Sequence, residues 1–332
     1  MRVDSDVAPG DPASRLEATA LLQHGAFTRQ QALAAGWFAA AIDTSLRTGS
    51  WQQLRRGVYA VTAALPTPQR DRHRLDVAAR LLALAPDHVA SHRSAVLLHG
   101  WPVLGSPPPQ PLLTRSPRSP SDASSTRFVR VATLAATDVV RVEGLLVTSP
   151  ARTVVDVARH EQQRSVVVVG DAALRAGLDP EQLAEVAGRC RTWPGGAAAL
   201  QVVRFADGRA DGPLESIARV AFAALGLPAP ELQVAVRDLE GRLIGIVDFL
   251  WRAQRTVCEM DGLLKYDGNP FALRREKERE DDLRRSGLEV VRGLWSETYP
   301  QPALLCRRVQ EAFSLAARLR DLPVRHLLPP AA

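Results

Sequence analysis

Residues 241–265, GRLIGIVDFLWRAQRTVCEMDGLLK, decide how the last third of the chain is read. Two apolar runs, 243–251 and 256–260, flank a four-residue segment, 252–255, that can turn the chain, so the pair reads as a β-hairpin. Three carboxylates interrupt it: Asp248, Glu259 and Asp261. A carboxylate in a buried strand is costly unless it is paired or holds a cation. Glu259 and Asp261 stand two apart and so project from one face of their strand. Closing the hairpin brings Asp248 beside them. Such a cluster repels itself, and a hard divalent cation, Mg²⁺ or Mn²⁺, relieves the repulsion.

The flanking segments supply the rest of a layered domain. Residues 213–225 read as a helix, with Leu214, Ile217, Ala218, Ala221 and Leu225 at helical spacing and Gly226 and Pro228 ending it. A strand is expected over 232–237, a charged helix over 271–286 closed by Gly287, a strand over 288–294 and a helix over 301–319. The order is α-β-β-β-α-β-α.

A chain of 332 residues is expected to form two or three domains. Hydrophobic residues at 46% and charged residues at 23% are ordinary for a globular protein, and the net charge of +6 favours polyanion partners only weakly. Cys190, Cys258 and Cys306 make no C-x-x-C pair and read as reduced thiols of a cytoplasmic protein rather than zinc ligands. No apolar run reaches the ~20 residues of a membrane helix. Residues 1–14 are polar and acidic, unlike a signal peptide, and read as a disordered tail.

Residues 15–62 read as three helices and a short wing. Thr28 caps the second helix, Gly36 stops it, the third covers about 39–48, and 51–54 pairs with 57–61 around Arg55 and Arg56. This is the plan of a winged helix-turn-helix. Its DNA-facing candidates are Thr44, Ser45 and Arg47 on the third helix and Arg55 and Arg56 on the wing. Ala39, Ala40 and Ala41 offer little for base readout, so backbone contacts are expected to dominate. A small helical domain that only packs or dimerises is the alternative.

Residues 63–206 read as an α/β middle region. It holds helices over 70–84 and 91–98, a proline- and serine-rich excursion over 105–125, a strand over 127–131 and a hairpin over 139–148. A helix follows, started by Ser149-Pro150, on which Arg152 and Asp156 are spaced to pair. The run 166–169 is β-branched, yet its surroundings favour a helix. His92 and His99 lack metal-ligand companions and read as packing or surface residues. Residues 206–212, ADGRADG, read as a linker.

Two resemblances follow from these motifs. The α-β-β-β-α-β-α order resembles the PD-(D/E)xK nuclease superfamily, and within it the very-short-patch-repair-like endonucleases. Asp248-Phe249, Glu259-Met260-Asp261-Gly262, Glu276 with Arg279, Leu283, and Gly287 with Val290 carry the likeness over residues 213–320. The text LLQHGAFTRQQALAAG…SWQQLRRGVYAV, with TSPARTVVDVAR at 148–159, resembles AbiEi-type antitoxins of type IV toxin–antitoxin systems. The fold class expected is therefore α+β multidomain: a winged helix, an α/β middle region and a nuclease-like domain with a mixed central sheet.

The first resemblance implies a metal-dependent endodeoxyribonuclease, in phage defence or DNA repair, with Asp248, Glu259 and Asp261 as metal ligands. Asp261 stands where the superfamily usually has its lysine, and Lys265 is a candidate replacement. Only two lysines, Lys265 and Lys277, stand against forty arginines, and both follow Glu259 closely. Glu215, on the first helix, is a candidate for the same site or an exposed first-turn residue; Arg279 is a candidate phosphate contact. The second resemblance implies operator binding by the front half, a nucleotidyltransferase-like toxin as partner, and a nuclease fold without activity.

Overall fold

A computed structural model describes residues 11–84, 86–117, 128–238, 240–261 and 270–318, with backbone only at 261 and 270–273. The chain divides into two compact units, residues 1–160 and 161–332.

The first unit opens with α1 (Pro12–Leu21), whose N-cap Asp11 accepts from the backbone amides of Ala13 and Ser14. This corrects the expected tail at its end: residues 12–14 are helical because Asp11 satisfies the first-turn donors and Pro12 has none to satisfy. Residues 1–10 lie outside the described residues. After β1 (Phe27–Thr28), a Thr28–Gln31 capping box starts α2 (Arg29–Ala34), and α3 (Ala39–Arg47) follows. Strands β2 (Trp51–Arg55) and β3 (Val58–Val61) form the wing, and β1 adds to it in the order β1-β3-β2. Leu16, Phe27, Ile42, Trp51 and Tyr59 make the core, with Phe27 edge-on to Trp51 at 4.8 Å.

Helix α4 (Gln69–Ala83), β4 (His88–Ala90), α5 (His92–Leu98), β5 (Leu113–Arg115), β6 (Val129–Val131), β7 (Val139–Val142), β8 (Leu145–Thr148) and α6 (Pro150–Ala158) complete the unit. Their sheet runs β6-β5-β4-β8-β7 and is mixed, β4 lying parallel to β8 and antiparallel to β5. Val58 and Ala60 of the wing share one core with Leu75, Leu113 and Val147, so winged helix and sheet are welded together. The expected Arg152–Asp156 pair forms at 3.0 Å, and Arg152, 1% exposed, also reaches Asp138 at 3.1 Å and donates to Thr133 O.

The second unit begins with α7 (Gln163–Arg175), α8 (Pro180–Arg189) and α9 (Gly196–Phe205). Val166–Val169 is helical, as the flanks implied, and is buried on every side, which favours an all-apolar stretch. The expected linker at 206–212 is instead tied down. The Asp207 amide donates to Asp171 Oδ1 at 2.7 Å, Arg175 donates to Ala210 O, and Ala210 is fully buried. Asp171 is itself buried and accepts from Ser216 Oγ and Arg219, so α7 is built onto the next helix, α10 (Pro213–Ala224).

Strands β9 (Glu231–Arg237), β10 (Leu243–Trp251) and β11 (Thr256–Asp261), helix α11 (Pro270–Arg285), β12 (Glu289–Leu294), α12 (Trp295–Thr298) and α13 (Pro302–Arg318) end the chain. The four-stranded sheet runs β12-β11-β10-β9, with β11 and β12 parallel and the other pairs antiparallel. Phe249, Cys258 and Met260 pack with Leu214 and Phe222 of α10 and Leu305 of α13. Leu250 and Val257 pack with Leu283 of α11 on the other face. The molecule is thus α+β with several sheets, and no helix among the described residues is long and apolar enough to cross a membrane.

Candidate nucleic-acid interface and carboxylate cluster

On the winged helix, Ile42 anchors α3 to the core, and the 3.6-residue period turns Asp43, Thr44 and Arg47 to solvent. Ser45 is half-buried. Asp43 is engaged by Arg29 at 2.9 Å, leaving Thr44 and Arg47 as the outward side chains of the helix's last turns. At the wing tip Arg56 is exposed, next to Gly57 at φ 73°. Arg55 is half-buried and donates to its neighbour's carbonyl, Leu54 O, at 2.8 Å. The sequence candidates therefore sit on two adjoining elements, with Arg47 and Arg56 the fully presented cations.

In the second unit the hairpin ladder closes from Trp251–Thr256 to Phe249–Cys258 and opens at the next position. There Asp248 enters the gap: its Oδ2 accepts from the Met260 amide at 2.7 Å. Its Oδ1 accepts from Gln233 Nε2 at 3.1 Å, and the same nitrogen donates to Glu215 Oε2 at 3.0 Å. Gln233 stands at φ 51° in mid-strand, a left-handed conformation that turns its amide between the two carboxylates. The same irregularity places Leu232 and Val234, two apart, in the cores on opposite faces of the sheet. Glu215 also accepts from the Asp211 amide at 2.9 Å. Burial lifts its carboxyl to about 7, the Asp211 hydrogen bond opposing and the charge of Asp248 reinforcing the rise.

Glu259 faces α11. Both terminal nitrogens of Arg279 donate to its Oε1, and Arg292 approaches Oε2 at 3.7 Å. Arg279 lies across Gly245, where a β-carbon would stand 2.9 Å from its Nε. Arg292 is shared with Glu276 at 2.7 Å and Glu280 at 3.0 Å. Burial raises the Glu259 carboxyl to about 7 even though Arg279 and Arg292 pull it down.

The structure thus brings Glu215, Asp248 and Glu259 into one electrostatic neighbourhood, but from different layers. Glu215 comes from α10 and Glu259 meets α11, with Asp248 in the opened ladder between. Arg279, expected at a phosphate, is spent on Glu259. Asp261 has only its backbone described and Lys265 lies outside the described residues; Lys277 is exposed on α11. As placed, Asp248 and Glu259 do not by themselves make a cation site. Both oxygens of Asp248 are taken by protein donors and Glu259 is clasped by an arginine. Among the described residues no three His, Cys, Asp or Glu side chains come together to hold a metal. Gln233 and Arg292 were not legible in the sequence as members of the cluster. Gly245 was the one available signal, a small residue where an apolar strand would ordinarily carry a side chain.

A family model described as "Transcriptional regulator, AbiEi antitoxin" matches residues 14–62, the winged-helix segment. Two Mycobacterium tuberculosis sequences are 32% identical over 170 residues. They are uncharacterized protein MT2308 of strain CDC 1551 / Oshkosh and uncharacterized protein Rv2248 of strain H37Rv. The match takes in 51% of this chain and 62% of theirs, so the chain spans less than two thirds of these relatives. The solved RV2827C protein from Mycobacterium tuberculosis aligns over 62% of this chain and 80% of its own, at 16% identity and a TM-score of 0.36, too low to establish a shared fold. Residues 14–62 are an AbiEi antitoxin-like domain.

Proposed function

We propose that the protein is a DNA-binding transcriptional regulator of the antitoxin type. The observation that carries this is the presentation of Arg47 and Arg56, with Thr44, on a helix and wing within the segment that matches the antitoxin family model. Phosphate contacts from the two arginines hold the domain on the duplex, and Thr44 and Ser45 are the side chains available for base edges. The toxin partner is a nucleotidyltransferase-like protein. The experiment is fluorescence anisotropy with the protein's own promoter fragment over a salt series, beside an unrelated duplex of equal length. Preferential, salt-sensitive binding supports the regulator; equal affinity for both duplexes, or none, overturns it.

A second reading, a metal-dependent endonuclease in residues 213–320, is favoured by one observation: the α10-β9-β10-β11-α11-β12-α13 order with Asp248 and Glu259 across the opened ladder. For Glu259 to serve a cation, Arg279 has to release it. Plasmid cleavage with Mg²⁺ or Mn²⁺, with Asp248→Ala and Glu259→Gln as controls, decides it. Cleavage absent with every divalent cation, while promoter binding persists, leaves the regulator alone.

A further inference from the structure

The mixed sheet of the first unit carries a cluster of hydrogen-bond donors that neither reading uses. His92 opens α5 at φ 52°, in the left-handed region that a non-glycine residue occupies only where its surroundings hold it. Its ring is 4% exposed and stands edge-on to His160, with centroids 5.0 Å apart. His92 Nδ1 lies 2.9 Å from Ser91 Oγ, and Ser91 Oγ accepts from Thr114 Oγ1 at 2.8 Å. Among the described residues the Ser91 hydrogen finds no acceptor other than His92 Nδ1, and giving it there is the arrangement in which the ring proton stands on Nε2. Nε2 has no hydrogen-bond partner among the described residues. A buried donor left without an acceptor is costly, and here a strained backbone holds it in place.

The charged groups around the ring come from two elements. On β6 stands Arg130, exposed, and the register partner of Thr114, so it shares the face on which Thr114 meets Ser91. On and just after α6 stand Arg152, Asp156, Arg159 and His160. Asp156 is already engaged by Arg152 at 3.0 Å and approached by Arg159 at 3.6 Å, and His160 Nδ1 donates to Asp156 O at 2.9 Å. Burial and then these cations, Arg130 foremost, keep His92 well below ordinary histidine basicity. A cation is repelled from such a place, and a metal needs a lone pair where Nε2 carries its proton. An anion supplies the missing acceptor and balances the arginines.

We propose that His92 and Arg130 form a binding site for a phosphate-class oxyanion, one oxygen accepting from His92 Nε2 while the Arg130 guanidinium balances the charge. The oxyanion is either a free phosphate group or a backbone phosphate of DNA; the chemistry of the contact is the same.

The test uses the full chain labelled with ¹⁵N at histidine and follows the imidazole resonances during titration with inorganic phosphate, with a short DNA duplex, and with sodium chloride at matched ionic strength. The His92 Nε2 resonance should shift saturably with phosphate or duplex and not with chloride. Saturation by inorganic phosphate identifies a free-ligand site, and saturation by duplex alone identifies a DNA contact. Arg130→Ala should weaken binding about tenfold, as loss of one charge-assisted hydrogen bond does. His92→Asn removes Nε2 with a residue that tolerates the left-handed backbone, and should abolish saturation. Should that variant fail to fold, the exposed Arg130 carries the test. No saturable shift with either probe, or a shift indifferent to Arg130→Ala, overturns the proposal.

Discussion

Above neutral pH the Glu215 carboxylate costs this fold stability, and Glu215→Gln should recover it. The side chain is 7% exposed, and one oxygen, Oε2, serves both the Asp211 amide and Gln233 Nε2. A glutamine carbonyl can take over both bonds. Burial moves the folded-state pKa from 4.5 to about 7. Between those values the folded protein binds a proton that the unfolded chain has lost. Stability therefore falls as pH rises through the window and levels off above about 7. At ~1.4 kcal/mol per pH unit, the displacement is worth about 3 kcal/mol. Glu215→Gln should match wild type near pH 4.5, exceed it by up to about 3 kcal/mol near pH 8, and show a flatter dependence between. Urea denaturation across pH, followed through Trp251 in the same unit's core, measures this. A variant no more stable than wild type near pH 8, or with an unchanged pH slope, refutes the reasoning. Repeating the series with Mg²⁺ bears on the endonuclease reading. A bound cation replaces the proton, so wild type would gain stability near pH 8 and Asp248→Asn would not.

Four further outcomes are expected. Arg152→Met leaves Asp138 and Asp156 buried without their shared cation and should cost about 3–5 kcal/mol at neutral pH, less as acid protonates Asp156, whose carboxyl burial already pushes up; a loss under about 1 kcal/mol in thermal melts would count against the network. Arg47→Ala and Arg56→Ala should each reduce the salt slope of DNA binding by roughly one, and unchanged slopes would remove both from the interface. Gly245→Ala crowds Arg279 off Glu259 and should raise the Glu259 pKa above about 7, read by carboxyl ¹³C titration; a lower value would show that Arg279 is not what holds it down. Residues 161–332 should fold alone with a cooperative melt. Residues 206–332, deprived of the buried Asp171 partner of Ser216 and Arg219, should be less stable by at least about 3 kcal/mol, and equal melts would restore 206–212 as a linker.

What the sequence determined by itself was local. Thr28 and Ser149 start helices because a short polar side chain meets the first free amides, wherever the helix then packs. The hairpin of β10 and β11 follows from two apolar runs and a turn, and the spacing of Arg152 and Asp156 already implied their pair. Tertiary structure decided how these pieces use their charges. Asp138 reaches Arg152 across 14 positions, and Arg279 reaches Glu259 across 20, over a glycine on a third element. The left-handed Gln233 and His92 are visible only as folded backbone, since neither side chain prefers that conformation and only its neighbours hold it there. ADGRADG has a linker's composition, yet the distant Asp171 and Arg175 hold it by hydrogen bonds. Periodicity and capping act within a few residues and survive in the one-dimensional text. The partner of a buried charge is set by low dielectric and by which elements meet, and only the packed chain specifies that.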